Sequence, residues 1–75
     1  MKEYYSLISI DTEVRFGKPC ISGTRIAVVD ILQWLASGMS HKEILEDYPP
    51  LKEEHIFAAL AFAANRESFL KFIAA

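Results

Sequence analysis

The polarity of the chain changes period once, and the change divides it into two kinds of structure. Tyr4 to Asp11 alternates loosely, with Tyr5, Leu7 and Ile8 followed by Ile10, and its aromatic and β-branched content predicts a short strand. Val14 and Phe16 then lead into a break at Gly17-Lys18-Pro19. Cys20-Ile21 and Arg25-Ile26 flank Ser22-Gly23-Thr24, the composition of a tight turn or bulge in extended chain. A small hairpin or pair of short strands over residues 1–27 is the expected outcome.

From Val28 the apolar residues fall at helical spacing: Val28, Ile31, Leu32 and Leu35, with Trp34 broadening the stripe, predict a helix to about Ser37. Gly38 ends it, because glycine readily takes the left-handed conformation that closes helices. Ser40-His41-Lys42-Glu43 has the form of a capping box, and Ile44, Leu45 and Tyr48 supply the buried side of a short second helix over His41 to Asp47. Pro49-Pro50 stops that helix, since neither proline can donate an amide hydrogen bond. A third helix begins near Lys52, with Glu53 and Glu54 in its first turn, and could run to about Ile73. Ile56 to Ala64 is apolar on every face, and Phe69, Leu70, Phe72 and Ile73 repeat the pattern, so this helix needs cover on more than one side. The cover expected is a second copy or another protein, with Ile56, Phe57, Leu60, Phe62, Phe69, Leu70 and Ile73 at a homodimer interface. The fold class expected is mainly α with a short N-terminal β hairpin, in which residues 28–75 form a tri-helical helix-turn-helix unit.

Composition narrows this picture. Seventy-five residues, 52% hydrophobic and 24% charged, make one small folded domain, near the size at which a single core suffices. The longest apolar run is about half of what a bilayer span requires, and no signal peptide is evident, so a cytoplasmic protein without a membrane segment is expected. One cysteine, Cys20, excludes an internal disulfide.

A net charge of -2 gives no overall attraction to nucleic acid. The helix that would enter a DNA major groove opens with Lys52, Glu53, Glu54 and His55, and Ser40 to Glu54 carries two lysines against five acids. The local basic patch lies elsewhere: Arg15, Lys18 and Arg25 oppose only Glu13 between Thr12 and Val29, beside glycines that permit close backbone approach. Any phosphate contact is expected there. The alternative is a solvated turn in which Arg25 pairs with a nearby carboxylate such as Asp30.

Catalytic chemistry finds little support. Cys20 lies in an apolar extended run and reads as a small buried hydrophobe rather than a nucleophile. His41 and His55 fall on separate helices as solvent-facing residues, without zinc-ligand spacing. Gly17 and Gly23 fit neither the Walker loop nor the dinucleotide fingerprint. No enzyme, cofactor or metal is expected.

Gly17-Lys18-Pro19, Ile21, Gly23-Thr24-Arg25-Ile26, Gly38-Met39-Ser40, Glu43-Ile44-Leu45 and Tyr48-Pro49-Pro50-Leu51 stand in the order of one prokaryotic family. From about Ile8 to Ala64 the chain resembles the short antitoxin-like family catalogued as domain-of-unknown-function family 433. The resemblance implies a homeodomain-like helix-turn-helix core behind a short β region. It also implies an antitoxin that blocks a PIN-like ribonuclease toxin and represses its own operon by binding double-stranded DNA. Lys18, Thr24 and Arg25 become the motif residues to test, with Arg15 beside them in the basic patch. At Lys52 relatives often carry a capping threonine or serine, which implies a weaker start to the third helix here. The other reading is a protein-interaction module on a helix-turn-helix scaffold that does not bind DNA.

Overall fold

The computed structural model describes residues 2–65. Three helices, α1 (Val28–Ala36), α2 (His41–Asp47) and α3 (Glu53–Ala64), follow a two-stranded antiparallel sheet of β1 (Ile8–Ser9) and β2 (Cys20–Ile21). The protein is therefore mainly helical with an N-terminal hairpin.

The expected strand over Tyr4 to Asp11 is corrected to two residues. Lys2–Leu7 forms a 3-10 segment, and only Ile8 and Ser9 pair, opposite Ile21 and Cys20 respectively. Tyr4 and Leu7 are three residues apart, one 3-10 turn, so both half-bury against the core, and the segment packs along α3. Ser22 pins the segment to the hairpin. Its amide donates to the Leu7 carbonyl at 2.9 Å and its hydroxyl to the Ser6 carbonyl at 3.1 Å.

Each helix start shows a different solution to unpaired amides. Ser40 and Glu43 make the full reciprocal box of α2: the Glu43 amide donates to Ser40 Oγ at 3.1 Å and the Ser40 amide to Glu43 Oε1 at 2.8 Å. The other two helices begin at Ala27 and Lys52, whose side chains cannot accept a hydrogen bond. Both use only the return half. Asp30 Oδ2 accepts from the Ala27 amide at 3.0 Å, and His55 Nδ1 accepts from the Lys52 amide at 2.9 Å. His55 thus offsets part of the missing cap at the start of α3.

Ile21, Ile31, Ile44 and Ile56 are fully buried and bring the hairpin and all three helices into one core. Trp34 of α1 stacks on Tyr48 at the end of α2, ring centroids 3.9 Å apart and nearly parallel, fixing the first two helices to each other. His41 Nδ1 lies 2.8 Å from Glu53 Oε2 and joins the starts of α2 and α3. Both histidines are half-buried and hydrogen-bonded, rather than the free solvent-facing residues the sequence suggested.

The apolar helix α3 obtains much of its cover from its own chain. Ile56, Ala58, Ala59, Ala61 and Phe62 are buried against α1, α2 and the 3-10 segment. Ile56 and Phe62 were expected at a dimer interface and instead belong to the core, because the N-terminal segment covers a side of α3 that the sequence left open. Phe57 and Leu60 remain exposed at 44% and 39%. Phe69, Leu70 and Ile73 lie outside the described residues, as does the extension of α3 to Ile73.

Stability should follow these contacts. Ile31→Ala should cost about 3 kcal/mol in urea unfolding, Ser40→Ala about 1 kcal/mol, and exposed Phe57→Ala within about 1 kcal/mol of neutral.

Candidate functional site

The motif stretch from Gly17 to Ile26 leads from the hairpin into α1. Gly23 has a φ of +80°, which turns the chain back after β2. Thr24 then closes the turn from inside: its amide and its hydroxyl both donate to the Ile21 carbonyl, at 3.0 and 2.8 Å, and its hydroxyl accepts the Ile26 amide at 3.0 Å. The Ile21 amide completes the loop by donating to the Ile26 carbonyl at 2.8 Å. A further bridge joins Cys20 to Ala27, and the Val28 amide donates to the Pro19 carbonyl at 2.9 Å. Thr24 therefore holds the turn in shape.

Arg15 reaches the same place from the other side. Its Nη1 donates to the Arg25 carbonyl at 2.7 Å and to Asp30 Oδ2 at 3.0 Å. Asp30 takes this bond and the Ala27 amide on one oxygen, so a single carboxylate ties the loop before β2, the turn after it and the first turn of α1. The expected partner of Asp30 was Arg25, but Arg15 holds it through side-chain contact. The local reason is conformational. Arg15 and Phe16 both have positive φ, 54° and 59°, and Gly17 continues at 84°, so three successive residues make a left-handed turn that aims the guanidinium inward.

The four residues expected to contact DNA or a partner now separate. Arg15 and Thr24 act within the fold, whereas Lys18 and Arg25 are exposed. The local charge separates likewise. Asp30 neutralises Arg15, and Asp11 shares an open cleft with Thr24 and Arg25, so the excess of positive charge counted along the sequence is balanced in space.

Burial acts to raise the Asp30 carboxyl, but the Arg15 hydrogen bond, the Ala27 amide and the charges of Arg15 and Lys18 outweigh it and hold its pKa below the ordinary value. The Asp30 hydrogen bond, then its charge, push the Arg15 guanidinium up. Burial likewise pushes the Cys20 thiol up, against smaller lowering by Arg15, Arg25 and Lys18. With 1% of its surface exposed, Cys20 is a packing residue, and that high pKa removes thiolate character. Among the described residues no group of three potential ligands could hold a metal ion, and no helix is long and apolar enough to cross a membrane.

Sequence reasoning missed Phe16. It is 99% exposed at the summit of the left-handed turn, and the only local signal was Gly17 after it. Beside it, Ile10, Pro19, Val28, Val29, Leu32 and Phe62 line an open apolar groove of about 590 Å³, as does Lys18.

These motif residues clasp the two-stranded hairpin to the three-helix core. Residues 8–63 match the family described as Protein of unknown function (DUF433), and the chain belongs to that family. The crystal structure of a DUF433 member protein from Anabaena variabilis is similar to it, with a TM-score of 0.75 and 31% identity over 99% of this chain and 74% of that one. No curated protein matches the chain.

Two measurements check the electrostatics. Because the folded pKa of Asp30 is depressed, its contribution is complete above the unfolded value and declines as pH falls through the folded one. Asp30→Asn should lower the melting temperature at neutral pH and flatten its fall between about pH 5 and pH 2. Glu43, also depressed by its Ser40 hydrogen bonds, supplies part of the remaining slope. A disulfide-exchange reagent should modify Cys20 in urea far faster than in the native protein.

Proposed function

We propose that this chain is an antitoxin-type regulator that binds a PIN-like ribonuclease toxin by protein contact. The observation that carries this reading is the outer face of α3, where exposed Phe57 and Leu60 follow exposed Glu53 and Glu54 in the first turn. Glu43, Glu46 and Asp47 of α2 add exposed acids nearby in the chain. A ribonuclease must attract phosphate, so its substrate-binding surface is basic. An apolar stripe with a carboxylate-rich start is complementary to such a surface, the apolar residues supplying affinity and the acids steering the encounter.

The homeodomain-like helix-turn-helix reading of α1, α2 and α3 belongs to the same proposal, as do a homodimer and a cytoplasmic location. Operator binding would then depend on Lys18 and Arg25, the exposed cations of the motif stretch. Asp30 against Arg15, and the acids that open α3, favour the second reading, an interaction module without DNA binding.

Co-expression with the product of the adjacent gene, followed by purification through a tag on that product, tests the proposal. Co-purification and suppression of ribonuclease activity are expected, with Phe57→Asp/Leu60→Asp abolishing both while the circular dichroism spectrum is unchanged. Failure of the unaltered chain to bind or inhibit would refute the toxin reading. A gel shift with upstream DNA separates the two readings: loss of binding in Lys18→Glu/Arg25→Glu supports operator binding, and no shift by the unaltered chain at low salt supports the module.

A further inference from the structure

We infer that the left-handed turn is the reciprocal anchor of a homodimer, in which Phe16 of each copy enters the apolar groove of the other. This deepens the proposed function: it rests on self-association in that reading but is independent of the toxin. Three observations carry it.

First, Phe16 is a large apolar side chain left 99% exposed by a backbone that L residues adopt reluctantly. Neither of the two positive-φ residues before Gly17 is a glycine, asparagine or aspartate, the types that tolerate this region best. Arg15 has an internal use for the conformation, since it reaches Asp30 and the Arg25 carbonyl. Among the described residues Phe16 has no such packing use.

Second, a receptor of matching chemistry lies beside the knob. Gly17, Lys18 and Pro19, the residues directly after Phe16, form one wall of the groove, and Val28, Val29 and Leu32 of α1 form another. Ile10 and Val29 on this surface are 38% and 41% exposed, continuing the apolar patch. The groove is adjacent to its own Phe16, so a two-fold axis between knob and groove would seat both knobs at once. That is the self-complementarity an isologous dimer requires.

Third, exposed charges of both signs flank the knob along the chain. Asp11 and Glu13 are exposed on the limb before Phe16, and Lys18, which lines the groove, is exposed on the limb after it. Reciprocal insertion brings the acidic limb of one copy toward Lys18 of the other. A nucleic acid would meet Asp11 and Glu13 unfavourably, whereas a second copy offers the matching pair. Apart from Phe62, which lines the groove, this surface differs from the dimer interface expected on the third helix.

Sedimentation of the full chain tests the inference. The unaltered protein should dimerise at micromolar concentration, and Phe16→Asp should sediment as the 8.5 kDa monomer with an unchanged circular dichroism spectrum. Lys18→Glu and Glu13→Lys should each weaken the dimer about tenfold, and the double reversal should restore most of that loss. A photoreactive phenylalanine analogue at position 16 should cross-link to Val29 or Leu32 of the second copy.

An unaltered chain that stays monomeric at high micromolar concentration would overturn self-association altogether. A dimer that survives Phe16→Asp, or a cross-link mapping to Phe57 or Leu60, would overturn this surface while leaving self-association standing. If Phe16→Asp abolishes capture by the adjacent gene product and no dimer is found, Phe16 anchors that protein and the inference is wrong.

Discussion

The fold depends on one carboxylate. Asp30 sits in the first turn of α1, where it accepts the amide of the N-cap residue Ala27, and the same oxygen accepts Arg15. Removing it would expose a helix start and release the guanidinium that holds the loop before β2. Partial burial of the carboxylate is tolerated because its partners are charge-assisted and close. The two strands are only two residues each, too short to fix the N-terminal region by backbone pairing alone. Arg15 and Asp30, with the Thr24 clasp, complete what that pairing begins.

This changes what the Gly-Thr-Arg motif means physically. Thr24 is used by the turn, through two donated hydrogen bonds and one accepted. Arg25 contributes its carbonyl to Arg15 and leaves its side chain in solvent. A threonine and an arginine in a conspicuous motif invite a ligand-binding interpretation, yet here the backbone of one and the hydroxyl of the other serve folding. Within the motif stretch, Lys18 and the Arg25 guanidinium remain as exposed cations for an outside partner. Their surroundings are of mixed sign, which lowers the attraction to a polyanion and fits a protein surface better.

The helices were legible because their punctuation is local. Ser40 with Glu43 and Pro49-Pro50 set the limits of α2 within a few residues of chain, and the observed span is the one those signals predict. The N-terminal segment was misread because Tyr4 and Leu7 suit either a loose alternation or one 3-10 turn, and packing against α3 decides between them. The Arg15 to Asp30 pair crosses fifteen positions and depends on a backbone turn that sequence composition does not specify. For the same reason the count of positive charge along Thr12 to Val29 overstated the patch, since Asp30 stands one residue beyond that window and Asp11 one residue before it. His55 as a helix cap was also hidden, because an imidazole in that position reads first as a surface residue.

The left-handed turn shows how internal and external demands can share one strained segment. Left-handed backbone costs an L residue about 1–2 kcal/mol, so Arg15 and Phe16 together oppose folding by a few kcal/mol. The two hydrogen bonds of Arg15 offset part of that within the chain. Nothing Phe16 does within the described fold offsets its share, and its side chain adds an exposed apolar surface. A local conflict of this kind, surrounded by helices whose caps and packing agree with one another, is the pattern expected where a surface is shaped for contact rather than for stability. The same backbone that aims Arg15 inward necessarily presents the next side chain outward. Fastening the hairpin to α1 and displaying an apolar anchor beside the groove are therefore two consequences of one turn.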